Sequence, residues 1–194
     1  MRSIKADEKV DATGLACPMP IVKTKKAMNA LLEGAVLEIL ATDKGSKADL
    51  KAWAENAGHQ YIGTIEEGAL LKHYIRKSSG EEVREKKHAQ FVSNNELQSK
   101  MEKDGQYTIL DVREEAEYAF NHIPESISIP FGELEGRLEE LNKEHDIYVV
   151  CRTGNRSDLA AQKLAKNGFN NVYNVLPGMS EWTGQTNKLN SNNE

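Results

Sequence analysis

Two cysteines stand in this sequence, and each has neighbours that equip a sulfur for chemistry. Cys151 closes the apolar run Ile147-Tyr148-Val149-Val150 and is followed by Arg152-Thr153-Gly154-Asn155-Arg156-Ser157. A β-rich run ending in a cysteine, then a Gly-containing polar loop, then a helical pattern predicts a strand that delivers a thiol into an anion-binding turn. Arg152 and Arg156, with the backbone N–H groups entering the next helix, would stabilise negative charge and lower the thiol pKa from its reference of roughly 8.5 by about one to several units. The competing reading is a buried structural cysteine. An apolar pocket, however, would not carry Arg152, Asn155, Arg156 and Ser157 within six positions of the sulfur.

Cys17 opens the segment Cys17-Pro18-Met19-Pro20. Proline is favoured in a first helical turn, where its missing N–H removes no helical hydrogen bond, so Cys17 is expected at or near an N-cap, again a placement that favours a thiolate. The competing reading is a helix cap that happens to be cysteine. Neither cysteine has a metal or redox partner in sequence. There is no C-x-x-C, and His59, His73, His88, His122 and His145 lack ligand spacing, which argues against zinc and thioredoxin-type chemistry. The histidines read as surface or core residues, and no metal or organic cofactor is called for.

The loop from Cys151 to Arg156 has four intervening residues, against five in cysteine phosphatases. A shorter loop makes a tighter ring of N–H donors, suited to a terminal persulfide sulfur more than to a phosphoryl group with three oxygens. Sulfur transfer and phosphoryl transfer are thus the two chemistries such a loop offers.

Two sets of elements must position these cysteines. In residues 1 to 77 the pattern predicts a β-α-β-α-β-β unit. Its elements are a strand Val10 to Ala12, a helix from about Pro18 to Leu32 stopped by Gly34, and a strand Ala35 to Ala41. A helix Ser46 to Asn56 follows, capped by Ser46 with Asp49 three positions on and ended by Gly58, and then a hairpin of Tyr61 to Ile65 and Leu70 to Ile75. Residues 78 to 90 hold almost nothing to bury and read as a charged linker.

From Phe91 helices alternate with short strands, the signature of a largely parallel sheet. Ser93 to Glu96 has capping-box spacing and opens a helix to about Lys103. Strands are expected at Thr108 to Leu110, Ile127 to Ile129, Ile147 to Val150 and about Val172 to Asn174. Helices are expected at Glu114 to Phe120, Glu133 to Leu141, about Ser157 to Asn167 and near Gly178 to Trp182, with a polar, disordered tail after Thr183.

Composition sets bounds on this reading. A chain of 194 residues with 39% hydrophobic side chains and mean hydropathy of −0.62 has no apolar run near 18 residues, so no membrane span is expected and the cytoplasm is the default location. There thiols stay reduced, and two cysteines 134 positions apart are better read as separately reactive than as a disulfide. A net charge of −5 argues against general nucleic-acid binding. It divides unevenly, +2 over residues 1 to 77 and −7 over 78 to 194, which would permit the two parts to dock.

Residues Cys151 to Ser157 resemble the active-site loop of single-domain rhodaneses. So do Asp111-Val112-Arg113 with Glu117-Tyr118, His122-Ile123-Pro124, Ile129-Pro130 and Leu176-Pro177-Gly178-Met179-Ser180-Glu181-Trp182. Two departures bear on turn geometry: Glu125-Ser126 stands where small residues are usual, and Pro177 where a first glycine is usual. Residues from about 9 to 77 resemble the small sulfur carriers of the TusA (SirA-like) family, through Asp11 to Gly14-Leu15 and Cys17-Pro18-x-Pro20.

The resemblances imply an α/β protein of two domains: an N-terminal two-layer β-α-β-α-β-β sandwich at 1–77, then, after the linker at 78–90, a C-terminal rhodanese-like domain at 91–186 with a parallel central sheet flanked by helices, and a polar tail at 187–194. They imply a rhodanese-type sulfurtransferase in which Cys151 and Cys17 are catalytic and cycle through persulfides. Arg152, Thr153, Gly154, Asn155 and Arg156 would bind the substrate, while Asp111, Arg113 and His122 would frame the loop. Thiosulfate or a persulfide is the implied donor and a thiol or protein the implied acceptor. Lys23, Lys25 and Lys26 on the first helix would either guide an acidic acceptor or form a solvated face. The rival readings are a sulfur-carrier or regulatory module without catalysis and a cysteine phosphatase or arsenate reductase.

Overall fold

The computed structural model describes residues 4–79, 86–103 and 105–189, and the chain divides into two units at 80/81.

The first unit is a four-stranded sheet with two helices. Its elements are β1 (Glu8–Ala12), α1 (Met19–Ala30), β2 (Val36–Ala41), α2 (Ser46–Asn56), β3 (Gln60–Glu67) and β4 (Leu70–Arg76). The strand order is β1-β2-β4-β3, with β1 and β2 parallel and the β4 pairings antiparallel. Alternate residues of the strands, Leu37 and Ile39 among them, form one core with Ala12, Ile75, Met28 and Leu31 and with Leu50 and Ala54 of α2. Because β1 and β2 run the same way, both strand-to-helix turns leave the same edge of the sheet. They are joined there, since the Gly14 N–H donates to Thr42 Oγ1 at 2.9 Å.

Ser46 departs from the sequence expectation. It is the first helical residue of α2, not its cap, which is Gly45. Its hydroxyl donates to Asp43 O at 2.6 Å and lies 3.0 Å from Nε2 of the fully buried His73. His73 Nδ1 meets Tyr61 OH and Thr64 Oγ1, each at 2.9 Å. Burial lowers the pKa of His73 to about 4, so it sits in the core as a neutral ring.

The second unit is a five-stranded parallel sheet in the order β5-β9-β8-β6-β7, made of β5 (Phe91–Ser93), β9 (Val172–Leu176), β8 (Asp146–Val150), β6 (Tyr107–Asp111) and β7 (Ile127–Ser128). Its helices are α3 (Asn94–Met101), α4 (Glu115–Phe120) and α5 (Asn155–Lys166). A sheet of this kind is covered on both faces, and β8 shows it. Ile147, Val149 and then Cys151 pack with Ala160, Ala161 and Leu164 of α5. Tyr148 and Val150 pack on the other face with Leu97, Ile109 and Ile123.

The capping box at Ser93 and Glu96 is present, each side chain receiving the other's backbone N–H. The helix expected at Glu133 to Leu141 is instead a 3₁₀ segment, Phe131–Glu140, broken by non-helical Arg137. Met179–Glu181 is also 3₁₀.

The expected linker and tail differ from the structure where they can be compared. Lys87 and His88 give their N–H groups to the Asp158 carboxylate at 2.9–3.1 Å, so this end of the charged stretch lies on α5. Asn187 exchanges two backbone hydrogen bonds with His122, and Leu189 N–H donates to Ala119 O, so the chain beyond Thr183 is pinned at these points. Residues 80–85 of the expected linker and 190–194 of the expected tail lie outside the described residues. Among the described residues no helix is long and apolar enough to cross a membrane.

Candidate active sites

In the first unit Cys17 lies in the turn between β1 and α1, exposed. The turn is shaped by Asp11, whose Oδ1 accepts the Thr13 N–H at 2.9 Å and its hydroxyl at 2.7 Å, and by Gly14 at φ +71°. Pro18 occupies the N-cap and Cys17 precedes it. Lys23 Nζ closes the turn on Asp11 O at 2.9 Å, so this lysine serves the turn and is not simply part of a solvated face.

The expected thiolate character of Cys17 is not what its neighbours favour. The Asp49 carboxylate, in the first turn of α2, hydrogen-bonds the thiol and pushes its pKa above the ordinary value; desolvation and Asp43 act in the same direction. Two acidic side chains at the edge where the parallel strands end thus bias the thiol toward its protonated form. Exposed Met19 and Val22 lie on the first turn of the helix that Cys17 introduces.

In the second unit Cys151 follows β8 and is 1% exposed. Its sulfur receives the Gly154 N–H at 3.1 Å and lies 3.2 Å from Ser157 Oγ. The loop turns at Gly154, φ +84°, where a Cβ would strike the Leu176 side chain. Below the loop, the N–H groups of Met179 and Ser180 donate to Cys151 O at 2.8 Å and Arg152 O at 2.9 Å. Gly178 is squeezed beneath, since a Cβ there would lie 2.5 Å from Cys151 O. Asn94, at the start of α3, holds Gly178 by its side chain, through Gly178 O at 3.0 Å and Gly178 N at 3.3 Å.

The residues expected to bind substrate separate into two groups. Arg152 and Thr153 are partly exposed on the loop, and Asn155 Nδ2 lies 3.5 Å from Thr153 Oγ1. Arg156 is buried and gives Nη1 and Nη2 to Glu117 at 2.7 and 3.0 Å, with Glu114 at 3.8 Å. Its fork is therefore taken by a protein carboxylate, a correction to the expectation that it grips the substrate anion. The frame residues are paired among themselves. Arg113 binds Asp111 through Nε and Nη2 and Asn121 O through Nη2. His122 Nδ1 donates to Tyr118 O while its ring stacks on Tyr118 at 3.9 Å.

Sequence reasoning missed Asn174, which reaches Ser157 from β9. The available signal was a lone amide in the strand-forming run Val172-Tyr173-Asn174-Val175, because a polar side chain survives in a core strand only when it is satisfied. Glu125 has φ +63°, the left-handed region that favours glycine, at the position where small residues were expected. Among the described residues no group of three or more His, Cys, Asp or Glu is placed to hold a metal ion.

This arrangement meets known proteins in both halves. The family model Sulfurtransferase TusA matches residues 8–77, and the model Rhodanese-like domain matches residues 93–185. The sequence is 50% identical over 183 residues to "Putative sulfur carrier protein YrkF" of Bacillus subtilis (strain 168), covering 94% of this chain and 99% of that one. It is 43% identical over 72 residues to the sulfur carrier protein TusA of Allochromatium vinosum, covering 37% of this chain and 95% of that one. Among solved structures, a rhodanese-like domain protein from Staphylococcus aureus matches with 30% identity over 51% of this chain and 97% of that one, with a TM-score of 0.49.

Proposed function

We propose that this chain, which belongs to the family joining a TusA domain to a rhodanese-like domain, is a sulfurtransferase that moves sulfane sulfur through persulfides on Cys151 and Cys17. In the first step the Cys151 thiolate attacks the outer sulfur of thiosulfate or of another persulfide. A sulfur–sulfur bond forms to Cys151, the donor's sulfur–sulfur bond breaks, and sulfite or a thiolate leaves with the electron pair. In the second step an acceptor thiolate attacks the outer sulfur of Cys151–S–S⁻ and Cys151 leaves as thiolate. Cys17 is one such acceptor, within a chain or between two copies.

The observation that carries this reading is the sulfur's seat: Cys151 takes a backbone N–H at 3.1 Å in a short loop whose buried arginine is already paired to Glu117. A phosphoryl group needs a free arginine fork for its oxygens, whereas a persulfide sulfur carries one charge and needs only N–H donors. Arg152 and Thr153, with the loop N–H groups of Gly154 and Asn155, meet the anionic donor, and Arg156 supports the loop from beneath. Both cysteines work as thiols, which fits a reducing compartment such as the cytoplasm.

A second reading, a carrier that displays sulfur without turning it over, is favoured by the deep burial of Cys151 and the protonated bias of Cys17. Intact mass after brief exposure to thiosulfate or a persulfide donor, on the unaltered protein and on Cys17→Ser and Cys151→Ser, tests the proposal. Adducts of one sulfur, about 32 Da, on Cys151 without Cys17, but on Cys17 only when Cys151 is present, support the relay. Absence of sulfur on either cysteine overturns it. Multiple turnovers of labelled sulfur to small thiols exclude the display-only reading.

A further inference from the structure

The polar atoms around Cys151 form a closed circuit, and its direction can be worked out from which groups are able to donate. Asn174 Nδ2 lies 3.0 Å from Gly154 O, and a carbonyl only accepts, so the amide is oriented with its nitrogen toward Gly154 and Oδ1 toward Ser157. Ser157 Oγ lies 2.6 Å from that Oδ1, which likewise only accepts, so the single hydroxyl proton of Ser157 is given to Asn174. With its proton committed there, Ser157 can only accept from the sulfur 3.2 Å away. The circuit closes when the Gly154 N–H donates back to Cys151 Sγ at 3.1 Å.

Cys151, Ser157 and Asn174 are all at most 1% exposed, so water does not substitute for a lost partner. The circuit is complete only while Cys151 carries a proton. When the sulfur ionises, either Ser157 keeps its proton on Asn174, leaving the Gly154 N–H as the sulfur's donor among the described residues, or the hydroxyl turns to the sulfur and Asn174 Oδ1 loses the Ser157 proton. Once the outer sulfur of a persulfide takes the charge, the inner sulfur is neutral and the Ser157–Asn174 bond can stand undisturbed. Asn174 thus disfavours one state, the bare thiolate, which is the attacking species.

We propose that Asn174 is a positioning residue for sulfur transfer, holding the Ser157 hydroxyl proton off the Cys151 sulfur so that the bare thiolate is kept reactive and the persulfide is favoured over it. The proposal rests on the sulfurtransferase reading for its purpose, but not for its test. The charged groups around the sulfur are Arg152 on the loop, Lys86 packed at Gly154, buried Asp158 in the first turn of α5, Arg156 with Glu117 and Glu114, and the Asp111–Arg113 pair at the end of the neighbouring strand β6. All are left in place in the variants below.

The experiment is the pH dependence of iodoacetamide alkylation of Cys151 in the full-length Cys17→Ser protein, with and without Asn174→Ala. Freed from Asn174, the Ser157 hydroxyl donates to the thiolate, and the alkylation midpoint falls by about one pH unit, a tenfold gain in thiolate below it. In a Ser157→Ala background the same Asn174→Ala change leaves the midpoint where it was. An unmoved midpoint in folded Asn174→Ala protein, or an equal shift without Ser157, overturns the proposal.

The infrared S–H stretch of the Cys17→Ser protein decides the matter even if Asn174→Ala fails to fold. A band lowered by donation to Ser157, and moved up by Ser157→Ala, supports the circuit; a free-thiol band overturns it. A Cys151 that shows these shifts yet gains no sulfur from any donor would sink the functional reading and leave the circuit standing.

Discussion

Glu117 receives both terminal nitrogens of Arg156, at 2.7 and 3.0 Å, in a pair almost sealed from solvent beneath the Cys151 loop. Removing one partner strands a charge in a place where water does not reach it. Glu117→Ala is therefore expected to destabilise the second unit by about 3–5 kcal/mol. The check is urea unfolding followed at Trp182 in a Trp53→Phe background. An unchanged midpoint would mean that the pair holds nothing in place.

At Cys17 the expectation runs the other way from a stabilising contact. Asp49→Asn removes the carboxylate that holds the thiol proton, so the alkylation midpoint of Cys17 in a Cys151→Ser background should move down. Because the site is exposed, the difference from the parent should shrink as salt is raised from low to physiological concentration. A midpoint that stays put in both salts refutes the assignment.

His73 makes the first unit sensitive to acid. Its folded pKa of about 4 lies below the unfolded value near 6.5, so between these values the unfolded chain binds the proton that the folded chain refuses. Stability is full above pH 6.5 and declines as pH falls toward 4, with a loss of about 2 kcal/mol between pH 7 and pH 5. His59, lowered by burial and the nearby Lys77, adds in the same direction. Urea midpoints read at Trp53 at the two pH values test this, and equal stabilities would contradict it.

Gly178 tests the loop's support. Its φ of +97° and the carbonyls that a Cβ would meet at 2.5 and 3.0 Å leave no room for a methyl group. Gly178→Ala should cost about 2 kcal/mol or more and slow sulfur uptake at Cys151 at least tenfold, whereas Gly132→Ala, with open space, should do neither. Uptake rates of the two variants measured side by side decide it.

Most of the elements were legible because their signals are local. The Ser93–Glu96 box, the glycines at 34, 58 and 168 and the alternation of β8 each act within a few residues. What the sequence hid depends on partners far along the chain. Ser46 looks like a cap but is drawn to His73, 27 positions away. Arg156 looks like an anion clamp until Glu117, 39 positions earlier, is seen to occupy it. Cys17 was read from its own helix, while its protonation is set by Asp49 on the next one. The 131–140 segment has helical spacing, but a break at Arg137 keeps it from becoming a regular α-helix.

The hydrogen bonds from Met179 and Ser180 to the carbonyls of Cys151 and Arg152 also carry a consequence for synthesis. When Cys151 emerges from the ribosome, Met179 and Ser180, which brace its loop, are still shielded inside the exit tunnel. The thiol enters the cell with β8 but without its cradle, and gains it only after Ser180 has emerged as well. The reactive sulfur is thus assembled late, when nearly all of the sheet that must hold it is already available to fold.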